Sequence, residues 1–177
     1  MTQAAAAPLE RAQHLAGGAA TVAVVAAVLI VLGAVAGEID PVIMALRNRE
    51  VTPDWAGVAV MINAVGVFWL MALPGFLLAG ALLDLSKVLD EYGKGQFFTL
   101  KASAHLRKAG EGAIWALVFK VVASPTIVSW ITHEGRGFSW HMEAFDLGLF
   151  AFAAAVMVLG RVLEAAAKIK AEIDEIV

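Results

Sequence analysis

One lysine stands inside a long apolar run. Lys120 lies within residues 112–132, where no other charge occurs. A charge near the centre of a bilayer costs several kcal/mol, so such a lysine faces protein or water rather than lipid. Two kinds of chemistry follow: proton gating or anion binding by the ammonium, and a paired lysine that fixes helix register. The second is the stronger expectation. Lys120 is twelve residues in from Thr132, about 18 Å along a helix. Glu164 is seventeen residues from Leu147, about 25 Å from the same side. A lysine reaching along the helix axis closes much of that gap, so a Lys120–Glu164 ion pair is expected, with Asn63 as a second partner.

Three further groups carry polar chemistry. His133, Glu134, His141, Glu143 and Asp146 are metal-ligating types, but their spacing matches no ligand pattern such as two histidines four apart on a helix. No metal site or cofactor is expected from them. Lys94, Lys101, His105, Arg107 and Lys108 form a basic segment, with Lys101, His105 and Lys108 on one helical face. Such clusters attract anionic lipid, although their commoner role is to set membrane topology. Val162, Ala166, Ile169, Ile173 and Ile176 follow a 4-3-4-3 spacing, the seam of a coiled coil. Glu164/Lys168, Lys168/Glu172 and Lys170/Asp174 are i, i+4 pairs that support an exposed helix there. The stripe is expected to pack on the basic helix of the same chain, or else on a partner or a second protomer.

The elements that position these residues are membrane spans. The chain has 177 residues, of which 60% are hydrophobic and 16% charged. Soluble domains are about 45–50% apolar and about 25% charged. The apolar residues fall in four blocks, at about 18–37, 55–83, 112–132 and 147–163. About 20 helical residues cross a bilayer core, and the fourth block is completed by Arg161 reaching to the interface. The first block is longer than the 7–15 apolar residues of a signal peptide and is read as a retained helix. The fold class is therefore all-α: a polytopic membrane protein with four transmembrane helices in an up-and-down bundle and cytoplasmic helical extensions. Residues 1–17 form a cytoplasmic segment, 18–165 the transmembrane domain, and 166–177 an amphipathic tail.

Lysine and arginine set the orientation. The N-terminus, the second loop and the tail hold nine of them, against three in the first and third loops. Both termini are therefore expected in the cytoplasm. Trp55, Trp130 and Trp140 then fall near the outer interface and Trp115 near the inner one. The chain has no cysteine, which excludes disulfides, thiolate metal sites and cysteine nucleophiles. Its net charge of −3 argues against direct nucleic-acid binding. The four blocks contain no carboxylate, unlike a proton-coupled exporter. No catalytic constellation or internal repeat is present.

Residues 38–54 read as an outer loop. In the second loop, Gly93-Lys94-Gly95 ends a helix and Thr99 caps the next, which runs from Leu100 into the third span. Pro74 and Pro125 kink their spans, and Ser124 and Thr126 are placed to satisfy the carbonyls freed at Pro125. Gly33 and Gly37 form a GxxxG read as intramolecular packing at least as readily as dimerisation.

Three stretches carry a family resemblance: LSKVLDEYGKGQFFT at residues 85–99, Leu106-Arg107-Lys108-Ala109-Gly110, and the end of the fourth span with its acidic tail at 160–177. The chain resembles the bacterial membrane proteins grouped as domain of unknown function 2975. There a Gly-Lys-x-Phe-Ser/Thr turn precedes a helix with a Leu-Arg-x-x-Gly pattern. Gln96 departs from the turn pattern. The resemblance implies a four-span inner-membrane protein encoded near small helix-turn-helix regulators, with no established site residues. The expected function is a non-enzymatic accessory or regulatory membrane subunit that binds a protein partner through cytoplasmic helices. The alternative is a small oligomeric transporter or channel using Lys120.

Overall fold

The structure is a computed structural model that describes residues 3–47, 54–96, 99–131, 137–138 and 140–176. It is helical, with no strand among the described residues. The helices are α1 (Gln3–Glu38), α2 (Asp40–Arg47), α3 (Trp55–Gly93), α4 (Leu100–Val118), α5 (Ser124–Ile131) and α6 (Ala144–Ile176). A π-helical interval, Phe119–Ala123, joins α4 to α5 in one continuous rod. Four stretches are long and apolar enough to cross a membrane: Ala12–Met44, Trp55–Gly93, Leu100–Ile131 and Ala144–Lys170. The expected four-helix up-and-down arrangement is what the chain adopts.

The long helices are ordered α1, α3, α4, α6, each packed on its neighbour in the chain. Among the described residues α1 and α6 make no contact, so the bundle is an open row. Small residues set the crossings. A Cβ on Gly75 would stand 2.6 Å from the Ala34 Cβ of α1. One on Gly110 would stand 2.6 Å from the Met157 backbone nitrogen, and one on Gly160 2.6 Å from that of Arg107. Backbones that approach this closely gain dispersion contacts that lipid cannot replace. The GxxxG of α1 is not part of this packing: nothing lies near Gly33 or Gly37, and Ala34 between them meets α3 instead.

Helix ends follow local chemistry. Asp54 Oδ1 accepts the Gly57 N–H at 3.0 Å and starts α3. Gly95, at φ +78, turns the chain after α3, a conformation that disfavours any Cβ. The Thr99 hydroxyl accepts the Ala102 N–H at 3.1 Å and starts α4, as expected.

Three expectations are corrected or extended. Residues 40–47 of the supposed first loop form α2, which packs on α3. Residues 3–17 of the supposed N-terminal segment belong to α1. The carbonyls freed by the two prolines are met by donors from other parts of the chain, and Ser124 serves Pro74 rather than Pro125. Pro74 leaves the Leu70 carbonyl without its helical donor, and the Ser124 hydroxyl of α5 donates to it at 3.0 Å. Pro125 frees the Val121 carbonyl, which accepts the His141 backbone N–H at 3.0 Å. The π interval ends two residues before Pro125, where a missing helical donor lets the ladder widen by one residue.

Candidate functional site

The chain segment before α6 folds back along α5, as the His141 bond to Val121 requires. This return places the start of α6 beside the π interval. Glu143 caps α6: its carbonyl accepts the Asp146 N–H at 3.0 Å, and its own N–H donates to Asp146 Oδ2 at 3.1 Å. Asp146 thus closes a capping box. Its other oxygen, Oδ1, accepts from Lys120 Nζ at 2.6 Å. Asp146 is 3% exposed, whereas the Lys120 side chain is 51% exposed.

The expected Lys120–Glu164 pair is therefore wrong. The depth estimate assumed that Leu147 stands level with Thr132. The returning segment instead lowers the start of α6 to the level of Lys120, and Asp146 arrives there first. Glu164 lies eighteen residues further along the same helix, about 27 Å away. It pairs with Lys168 at 3.1 Å and approaches Arg107 at 3.8 Å. Asn63 is no partner either. It is exposed on α3, eleven residues and about 16 Å from the level of Pro74, which shares a cavity wall with Lys120.

Lys120 opens into a cleft of about 480 Å³ whose walls include Glu38, Met71, Pro74, Ser124, Pro125 and His141. Two proline-broken helices and the end of α1 meet there. Among the described residues Glu38 makes no ion pair. The cleft thus presents one half-open ammonium and one unpaired carboxylate, with apolar walls between the helices.

The basic segment lies at the opposite end, beside the α3–α4 turn. It is not a free positive face. Lys101 Nζ donates to Glu91 Oε1 at 2.9 Å, His105 Nδ1 stands 3.0 Å from Asp84 Oδ1, and Lys94 pairs with Asp90. Arg107 Nη1 donates to Glu111 at 2.9 Å. The Asp90 carboxylate beside Lys94 raises the pKa of its ammonium above the usual lysine value. Lys108 alone of the five makes no ion pair among the described residues and is exposed. Lys101 and His105 fasten α4 to the end of α3, a role that spacing along α4 does not reveal because Glu91 and Asp84 lie on the preceding helix.

The tail stripe is also displaced from its expected role. α6 packs on α4 through Ala153, Gly160 and Ala167, each seven residues from the last. Val162, Ala166, Ile169 and Ile173 lie outside that seam and are exposed, Ile169 at 58% and Ile173 at 56%. Burial of the stripe on its own α4 is thereby contradicted. The Ile176 side chain, like His133 and Glu134, lies outside the described residues. No three metal-ligating side chains converge among the described residues.

Asp146 had a readable signal. An acid just before an apolar run favours the first turn of a helix, which would start α6 before Leu147. Glu38 had none, because its place in the cleft depends on how far α1 runs along α3.

No curated protein and no solved structure matches the chain. A family description does match, and it begins at Ile43, well before the stretches that carry the resemblance in sequence. With residues 43–177 matched, the chain belongs to the family described as proteins of unknown function, DUF2975.

Proposed function

We propose that this chain is a non-enzymatic accessory or regulatory subunit of the bacterial inner membrane, which binds a protein partner through its cytoplasmic helices. The observation that carries this reading is the outward stripe of α6. Ile169 and Ile173 are exposed on a helix that continues for about 20 Å beyond the α4–α6 glycine crossing at Gly160. Exposed large apolar residues in register mark an interaction face when no neighbour covers them. The nine-to-three basic bias favours both termini in the cytoplasm, and Lys168 and Lys170 on either side of Ile169 favour an interfacial or cytoplasmic position for this end of α6, within reach of a partner there. Direct nucleic-acid contact is not part of this reading, because the basic segment is already matched by acids of the same chain.

Weighing the intact particle tests it. The full chain is tagged, extracted from its native membrane in mild detergent, and compared with a chain ending after Ala165. A stoichiometric second protein that is lost with the tail supports the reading. A particle made of one or several copies of this chain alone contradicts it.

One observation favours a second reading, a small oligomeric transporter or channel using Lys120: the ammonium lines an open cleft. Against it, the same ammonium is tied to Asp146. Flux in proteoliposomes that is lost in Lys120→Met but kept on tail deletion would select the transporter.

A further inference from the structure

The cleft beside Lys120 holds two opposite charges that the packing does not join. On one wall the Lys120 ammonium is gripped from behind by the buried Asp146 carboxylate, which leaves about half of the lysine side chain open. An ammonium has three N–H donors, so one bond to Asp146 leaves others for the cleft. On another wall stands Glu38, half-buried and without an ion pair among the described residues.

Depth makes this arrangement costly if left empty. Pro74, level with Lys120, is ten residues and about 15 Å from Asp84, the first charge at the end of α3 toward its turn. Apolar segments of α3 and α5 extend on the other side. A half-buried carboxylate at the end of an apolar helix calls for a cationic group, and a half-free ammonium calls for an acidic one. A simple anion leaves the Glu38 carboxylate on the cleft wall unmet. A simple cation leaves the open donors of Lys120 unmet. The Ser124 hydroxyl and the His141 backbone N–H are already committed to Leu70 and Val121.

We propose that this cleft binds a zwitterion, with its acidic group on the Lys120 ammonium and its cationic group on the Glu38 carboxylate. Met71, Pro74 and Pro125 supply apolar walls for the carbon framework between or beside the two charges. A phospholipid headgroup carrying phosphate and ammonium has this chemistry, and so does the same headgroup free in solution. The site is independent of the α6 stripe, so either proposal can fail without the other.

Native mass spectrometry of the detergent-solubilised full chain tests it. The probes are a phosphatidylethanolamine, a phosphatidic acid of the same acyl chains, and free phosphoethanolamine. The wild type is expected to retain one phosphatidylethanolamine per chain and to prefer it over phosphatidic acid. Glu38→Gln removes a charge that makes no ion pair among the described residues and keeps the size of the side chain. It should weaken phosphatidylethanolamine about tenfold, the loss expected for one charge-assisted contact, and leave phosphatidic acid unchanged. Displacement of the lipid by free phosphoethanolamine would support a soluble zwitterion as the source. Retention of the lipid against it would support the lipid itself. Equal binding of the two lipids, or phosphatidylethanolamine bound equally by wild type and Glu38→Gln, overturns the proposal.

Discussion

α4 and α6 meet backbone to backbone, while α3 and α5 meet across a cleft. At the first contact, Gly110 and Gly160 each leave no room for a methyl group. At the second, Pro74 and Pro125 break both helices, and the freed carbonyls are answered by Ser124 from the neighbouring helix and His141 from the returning segment. Glycine thus removes space where two regular helices touch, and proline creates it where two broken helices stand side by side. The charges follow the same division. Lys120, held by Asp146 behind it, borders the cleft, whereas the α4–α6 seam is lined by Ala153, Gly160 and Ala167. The tight seam holds the fold, and the cleft is where a small molecule has room.

Substitutions can break this contrast. The largest effect is expected at the charge pair. Lys120→Met strands the buried Asp146 carboxylate and should destabilise by about 2–3 kcal/mol, at or below the cost of breaking a fully buried pair because half of the lysine side chain is open. Thermal unfolding in detergent measures it. Changing Asp146 to Asn in the same chain, which removes the charge and keeps an oxygen for the Glu143 N–H, should recover most of the loss, and no recovery would mean that the lysine matters for another reason. Next comes the tight seam: Gly160→Leu must push Arg107 and α4 away, at about 2 kcal/mol. The same change at Gly33, which faces open space, should cost under about 0.5 kcal/mol. Equal losses at the two glycines would erase the distinction drawn here.

Smaller effects sharpen the cleft. Ser124→Ala leaves the Leu70 carbonyl without its donor and should cost about 1 kcal/mol. The loss should be absent when Pro74 is also replaced by Ala, since the helix then supplies its own N–H to Leu70. An equal loss in both backgrounds would show that the hydroxyl does not serve the proline break. The smallest change in stability is expected at the outward stripe. Ile169→Lys with Ile173→Lys should shift unfolding of the purified chain by less than about 0.5 kcal/mol, because both side chains are already exposed.

The sequence made the spans legible because apolar blocks of this length have few other physical solutions. The α3–α4 turn was legible too, since Gly95 and Thr99 each impose a local geometry. The cleft was not. Its charge pair depends on the segment before α6 turning back along α5, and span length alone cannot report that return. The seam of α6 was misread for a related reason. A 4-3 pattern of valine and isoleucine competes with Ala153, Gly160 and Ala167, and in lipid small residues rather than large ones mark the face where backbones approach. The acids that neutralise the basic segment were visible as residues, but Asp84 and Glu91 meet His105 and Lys101 only once the turn is closed.

The most direct measurement uses the absence of native cysteine. Single cysteines are placed at Ile169 on the outward stripe and at Ala167 in the α4–α6 seam, and their thiol labelling is compared in native membranes and in the purified chain. Position 167 should be protected in both. Position 169 should be protected in native membranes and become reactive once the chain is purified away from its partner. Equal reactivity at 169 in both settings would contradict a docked partner on the α6 stripe.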